Sequence, residues 1–292
     1  MKITVVGSGL AGLLAANILR RHHVNVYEKQ DHLPNNHHAV LRFRGPDVGN
    51  VLGIQFRKVN MLKTYVPHYD NIVADSLSYS KKTTGVYRSD RSIVSGTVIE
   101  ERYVAPPDLV KLMSENVDIK YGRDFLFTDK HPFPIISTIP MPVLMSKLKY
   151  KSEESFKTTC GMVATTEIKD CDAYVSVLFP GPGNISRATI TGNKIIIEFP
   201  GVKSIIVQEA MKILFHLGVS TDDIGNFQVQ EQKYFKITEI NEAERLKFMK
   251  WATVNYRIFS LGRYACWRPK LLLDDLIKDV RLIESWMLGG QK

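Results

Sequence analysis

The chain is poor in cysteine. Its three, Cys160, Cys171 and Cys266, are too few for a disulfide framework and show no zinc spacing. No apolar run approaches the ~20 residues that a membrane helix needs. The first apolar run is short and leads straight into a glycine turn, unlike a secretory signal. Internal repeats and low-complexity tracts are also lacking. With 44% hydrophobic and 24% charged residues, wholesale disorder is excluded. The expectation is a soluble, reduced, cytoplasmic protein with no membrane partner. Its 292 residues are enough for one large domain or two interleaved ones. Acid is the last shortage: 30 Asp+Glu face 39 Lys+Arg, a formal net charge of +9. That excess suggests an anionic partner without naming it.

What is present begins at the first residues. Lys2 to Val6 reads as a buried strand. Gly7-Ser8-Gly9-Leu10-Ala11-Gly12 follows, then a helical stretch with Leu10, Leu13, Leu14, Ile18 and Leu19 at apolar spacing. A second strand, Val24 to Tyr27, ends at Glu28. A Gly-x-Gly-x-x-Gly after a strand, opening a helix, with an acid about twenty residues on, is a dinucleotide-binding fingerprint. Each part has a physical task. Gly7 permits the tight turn, Gly9 admits a pyrophosphate to the backbone, and Gly12 lets helix pack on strand. The helix N-terminus offers free N–H groups and a partial positive charge. Glu28 can accept hydrogen bonds from ribose hydroxyls and disfavours a 2′-phosphate, hence NADP. The fingerprint does not separate NAD from FAD.

Further along, Ile135 to Ile139 reads as a strand returning to the nucleotide-binding sheet, broken at Pro140 and Pro142 before a short helix. Residues 173–200 are β in character, with a Gly192-Asn193 turn joining Ala188–Thr191 to Lys194–Phe199. Ile205 to Leu217 is an amphipathic helix and Phe227 to Ile237 contains a strand. Asn241 caps a helix to about Tyr256. Tyr256 to Gly262 reads as a strand, Arg263 to Pro269 as a loop, and Lys270 to Met287 as a helix with Asp274 and Asp275 near its start.

The two ends together resemble the flavoproteins that include amine oxidases, protoporphyrinogen oxidase and UDP-galactopyranose mutase. The residues that carry the resemblance are the fingerprint and Gly262-Arg263-Tyr264-Ala265, then Trp267, then Leu273-Asp274-Asp275, closest to the mutase version. Ile135 to Pro140 is similar to that group's strand before the domain crossover. Asn184 to Ile190 is loosely similar to a substrate-domain strand whose arginine, here Arg187, faces the flavin. Asn35-Asn36 stand where the group usually has a Gly-Gly pair. The group's catalytic histidine loop has no secure match, and the chain is short for the group.

The resemblance implies an α/β fold: a Rossmann-like FAD-binding domain with a smaller, mostly antiparallel inserted substrate domain. The expected division is 1–50, 106–150 and 240–292 for FAD, and 51–105 and 151–239 for substrate. It implies FAD as cofactor. Gly7, Ser8, Gly9, Leu10, Ala11, Gly12, Glu28 and Lys29 would hold the ADP half. Gly262, Arg263 and Asp275 would lie at the flavin end. The implied activity is oxidation of a C–N or C–O bond by an oxidoreductase or lyase. Arg187 and Arg263 are the candidate catalytic residues, for a substrate anion or the charge of reduced flavin. Alternatives are a sugar-nucleotide mutase, a non-catalytic FAD-binding regulator, and an NAD-dependent dehydrogenase.

Three other features carry weaker signals. His22, His23, His32, His37 and His38 cluster without a thiolate or carboxylate at ligand spacing, so no metal site is expected. Cys266 reads as a packed thiol rather than a nucleophile. Basic residues gather at 42–63 (Arg42, Arg44, Arg57, Lys58, Lys63), 81–91 (Lys81, Lys82, Arg88, Arg91) and 257–270 (Arg257, Arg263, Arg268, Lys270), with aromatics interleaved. They fit solvated faces and the cofactor's own charge, or else a nucleotide or DNA substrate. Bacteriophage flavoenzymes that act on amino-acid-decorated thymines in DNA are the kind of enzyme this chain could resemble.

Overall fold

The computed structural model describes residues 1–34, 41–88, 93, 96–127, 131–201 and 206–289. The first half runs β1 (Lys2–Val6), α1 (Leu10–Ile18), β2 (His23–Tyr27), β3 (Arg42–Phe43), α2 (Asp47–Leu52), β4 (Arg57–Tyr65), α3 (Ile72–Thr84), β5 (Val98–Val104), α4 (Leu109–Ser114), β6 (Ile119–Lys120), β7 (Ile135–Ser137) and α5 (Met141–Lys147). The second half runs β8 (Thr158–Glu167), β9 (Ala173–Leu178), β10 (Arg187–Gly192), β11 (Lys194–Pro200), α6 (Ile206–His216), β12 (Gln228–Ile237), α7 (Glu242–Tyr256), β13 (Ile258–Ser260) and α8 (Leu276–Gly289).

β1 is apolar and covered on both faces, the pattern of an interior strand of a parallel sheet. That sheet has five strands in the order β13-β7-β1-β2-β6, all parallel. α1 and α8 cover one face, where Ile3, Val5, Leu13, Leu14, Ile136, Phe259 and Val280 form a core. The other face is covered by α5 and α7, with Val6, Ile135, Ile258, Met141, Phe248 and Trp267 packed together. The strand expected at Ile135–Ile139 is therefore in the predicted sheet, beside β1.

The second sheet has eight strands in the order β12-β8-β11-β10-β9-β4-β5-β3. β4 and β9 pair in parallel; the other pairings are antiparallel. Alternation along β11 sends Ile195, Ile197 and Phe199 to one face, where Ala210 and Leu214 of α6 cover them. Burying a large aliphatic or aromatic side chain there stabilises by about 1.5–3 kcal/mol. Lys194 and Glu198 alternate to the opposite, inner face.

Two expectations at the C-terminus need correction. The strand expected over Tyr256–Gly262 is only Ile258–Ser260, because Tyr256 still belongs to α7 and Arg257 ends that helix in the left-handed region at φ +54°. The helix expected from Lys270 starts at Leu276. The Leu272 N–H donates to Asp275 Oδ2 at 2.9 Å, and Leu273–Asp275 winds as a 3₁₀ turn first. Among the described residues no helix is long and apolar enough to cross a membrane.

Candidate cofactor and substrate site

The glycine turn lies at the carboxyl end of β1, next to those of β2 and β7, where open parallel sheets place ligands. Gly7 sits at φ +100°, and a Cβ there would stand 2.3 Å from Thr138 Oγ1, whose hydroxyl donates to the Val6 carbonyl. A Cβ on Gly12 would stand 1.9 Å from the Gly7 carbonyl oxygen, so helix and turn touch backbone to backbone. Gly9 is different: a Cβ there would meet nothing within 4 Å. Its backbone is ordinary extended at φ −67°, ψ 175°. Gly9 is thus spared by neither fold nor strain, and the open side of its backbone leaves room for a group at the N-terminus of α1.

Glu28 is buried and braces this turn. Its Oε2 accepts from the Ser8 N–H and the Ser8 hydroxyl, each at 2.9 Å, and Oε1 accepts from the Gln30 N–H at 3.0 Å. Oε2 has both lone pairs engaged, and Oε1 keeps capacity for one further donor. Lys29 is exposed beside it. The Arg123 N–H donates to the Glu28 carbonyl, so the segment after β6 flanks the same acid.

The C-terminal loop closes on α1. A Cβ on Gly262, at φ +99°, would lie 3.1 Å from the Ala11 Cβ. The Arg263 Nε donates to the Leu271 carbonyl at 2.9 Å, within the loop. The buried Arg245 donates to the Cys266 carbonyl at 3.0 Å and to both oxygens of Glu242. The Trp267 indole N–H donates to the Thr238 carbonyl at 2.8 Å. Asp275 caps the 3₁₀ turn and ion-pairs with Arg44, whose own N–H donates to Asp274 Oδ1 at 2.9 Å. The Arg44 guanidinium and the capping bond hold the Asp275 carboxyl below the usual range, against a desolvation that raises it.

Arg187 starts β10 opposite Glu198 on β11, and the two form an ion pair. Burial raises the Glu198 carboxyl, but Arg187, Lys236 and Arg42 together hold it lower than normal. The charge of Glu198 pushes the Arg187 guanidinium up. The Gly192-Asn193 turn fixes this register, so counting outward from it would have paired the two residues from sequence alone. Arg187 and Arg263 lie on different parts of the molecule's interior framework and each already has a protein partner.

The weaker signals resolve simply. Burial pushes the Cys266 thiol up to about 12, as befits a packed thiol. His22 hydrogen-bonds Glu284 at 2.7 Å, and the described residues hold no metal-binding cluster. His37, His38, Asn35, Asn36 and Arg91 lie outside the described residues. Several basic residues face acids: Arg57 with Asp172, Lys58 with Glu101, Lys63 with Glu100, Arg88 with Glu239, Arg268 with Asp279.

The site fits a dinucleotide. The open approach at Gly9 is matched by the Ser137 and Ser260 hydroxyls, buried side by side at the carboxyl ends of β7 and β13 with no hydrogen-bond partner among the described residues. A family profile described as NAD(P)-binding Rossmann-like domain matches residues 5–39. No curated protein matches the chain by sequence. Solved structures share the fold at low identity. The PF1083 protein of Pyrococcus furiosus is 12% identical with a TM-score of 0.59, over 97% of this chain and 98% of that one. Glycine oxidase from Bacillus cereus is 12% identical with a TM-score of 0.56, over 97% and 95%. Glycerol-3-phosphate dehydrogenase from Bacillus halodurans, solved in complex with FAD, is 11% identical with a TM-score of 0.57, over 100% of this chain and 65% of that one. The fold shared with these structures is a Rossmann-like parallel sheet joined to a mixed sheet.

Sequence reasoning missed Thr138, Arg42, Arg44, Glu198 and Arg245 as parts of this framework. Their roles rest on partners distant in sequence, except for the hairpin pair.

Proposed function

We propose that this chain is a FAD-dependent oxidoreductase or lyase that oxidises a C–N or C–O bond of an anionic substrate. The observation that carries the reading is the unobstructed backbone at Gly9, set at the N-terminus of α1 and faced by the Gly262 loop. FAD, when bound, supplies the two-electron acceptor for a carbon bearing nitrogen or oxygen. The chain's residues do the rest. The N–H groups of the first turn of α1 hold the pyrophosphate. Glu28 keeps the Gly7–Gly12 turn in shape and takes a ribose hydroxyl. Gly262, Arg263 and Asp275 border the ring end, and Arg187 lends positive charge from the inner face of the mixed sheet. In this reading residues 1–50, 106–150 and 240–292 carry the cofactor, and 51–105 and 151–239 shape the substrate side.

The finer substrate we infer is an amino-acid-modified nucleobase in DNA, supported by the net charge of +9. The test is direct. Purified protein should absorb as a flavoprotein or take up FAD on titration. A colourless protein that binds none overturns the reading. Retention of DNA should be seen at low salt and weaken steeply as salt rises. No retention at low salt removes DNA as the substrate and leaves the flavin assignment standing.

A further inference from the structure

The inner face of the mixed sheet carries more positive than negative charge. Register places Arg42, Arg57, Lys63, Arg102, Arg187 and Lys194 on this face with Glu100, Glu167 and Glu198, and Arg57 pairs with Asp172. Glu100 pairs with Lys63 and Arg102. Glu198 pairs with Arg187 and Lys236. Two carboxylates thus serve four cations, and neither makes a hydrogen bond to Arg42. The Arg42 Nη1 donates to the Met61 thioether at 2.9 Å, a weak acceptor, and no carboxylate ion-pairs with it among the described residues. Burial, with the nearby charges of Arg187 and Arg102 and against that of Glu198, pushes its guanidinium down to about 10.

Arg245 shows what a structural arginine looks like in this chain. It too donates to a thioether, that of Met249, but it also holds Glu242 and the Cys266 carbonyl. Arg42 has the thioether alone. A largely desolvated guanidinium that no carboxylate hydrogen-bonds, with only the charge of Glu198 nearby, is costly, and its donors are left over for another acceptor.

Position adds the second argument. β3 is two residues long, and the residue that follows it, Arg44, is bound through backbone and side chain to Asp274 and Asp275. The strand that carries Arg42 is therefore tied to the segment that follows the Gly262 loop, at the mouth of the cofactor site.

We propose that Arg42, with Arg187 beside it, anchors an oxyanion group of the substrate, a carboxylate or a phosphate, on the inner face of the mixed sheet. The guanidinium fork has donors to spare for two parallel bonds to either group. The proposal deepens the flavoenzyme reading and rests on it for the word substrate. The oxyanion site itself can be read without cofactor.

The experiment uses the whole protein in two forms, FAD-loaded and cofactor-free. N-acetylglycine, inorganic phosphate and the neutral N-acetylglycinamide are titrated at matched ionic strength. The flavin difference spectrum reports on the loaded form, and thermal unfolding on both. A saturable response to N-acetylglycine or to phosphate, with none to the amide, is expected, and the responding arm names the oxyanion. Arg42→Met should weaken that response at least about tenfold, the loss expected for charge-assisted bonds. Arg42→Lys should retain part of it. Arg42→Met should also unfold at the same or a higher temperature, since it removes an unpaired cation. The proposal is overturned if neither oxyanion evokes a response, or if Arg42→Met lowers the unfolding temperature while the response stays intact. A protein that takes no FAD yet responds to an oxyanion through Arg42 would sink the flavin reading and keep this site.

Discussion

Glu28 grips Ser8 twice, through the backbone N–H and through the hydroxyl, both at 2.9 Å. The acid at the end of β2 therefore shapes the glycine turn. Ser8→Ala keeps the backbone bond and should weaken FAD binding severalfold. Glu28→Ala leaves a buried N–H without an acceptor, a cost of about 1–3 kcal/mol. It should weaken FAD binding at least about tenfold. Fluorescence titration with FAD and thermal unfolding of the cofactor-free protein check both. Equal effects from the two changes would contradict the bracing role.

Two glycines of the turn predict different failures. Gly12→Ala puts a methyl 1.9 Å from the Gly7 carbonyl and should cost about 3 kcal/mol or more of stability. Gly9→Val meets open space, so the cofactor-free fold should survive while FAD uptake is lost. Unfolding curves and FAD titration, run side by side on the two variants, separate fold from site.

Arg245 ties α7 to the loop that faces α1. Glu242 is exposed, so the loss in Arg245→Ala comes mainly from the Cys266 carbonyl and the buried stem. A cost of about 2–3 kcal/mol is expected. Hydrogen exchange should quicken at residues 262–271 more than in β1. Uniform quickening would show that the arginine supports the fold at large rather than this loop.

Cys266 should resist thiol reagents in the native protein while the exposed Cys160 reacts. Burial holds its thiol up to about 12, above the usual thiol range. Above pH 9 the unfolded chain loses that proton first, so stability should fall as pH rises from 9 toward 12. Cys266→Ala should remove this part of the slope. Rapid labelling of all three thiols before unfolding would count against the burial.

Glu198 works at the other end of the scale. Its folded carboxyl lies below the usual glutamate range, so its contribution is complete above the unfolded chain's value and lost as pH falls through the folded one. Glu198→Gln should be less stable at neutral pH and flatter in the acid limb. Denaturant melts from pH 3 to 7 would expose an unchanged acid limb if the pair were idle.

What could be read from sequence was local. β1, the turn, α1 and β2 follow from glycine spacing and an uninterrupted apolar run, and Asn241 was legible as a cap because its acceptor role spans three residues. The start of α8 was misplaced because Asp275 closes a 3₁₀ turn before the helix, and the Arg44 that also holds it comes from far up the chain. β4 was illegible for a related reason: Arg57 and Lys63 alternate onto one partly covered face and Lys58 onto the other, and their partners sit on β5 and in the loop before β9. Arg187 was singled out, but its ion pair was not, although the turn residues Gly192-Asn193 fix the register that makes it.

The contact between Ala11 and Gly262 joins the earliest helix to one of the latest loops. During synthesis the ribosome releases the glycine turn long before β13 and its loop emerge. The nascent chain must therefore carry a half-built nucleotide cradle through most of translation. On the flavoprotein reading, cofactor capture belongs to the end of that process, and a chain shortened before Gly262 would leave the ribosome with the fingerprint intact and nothing to close it.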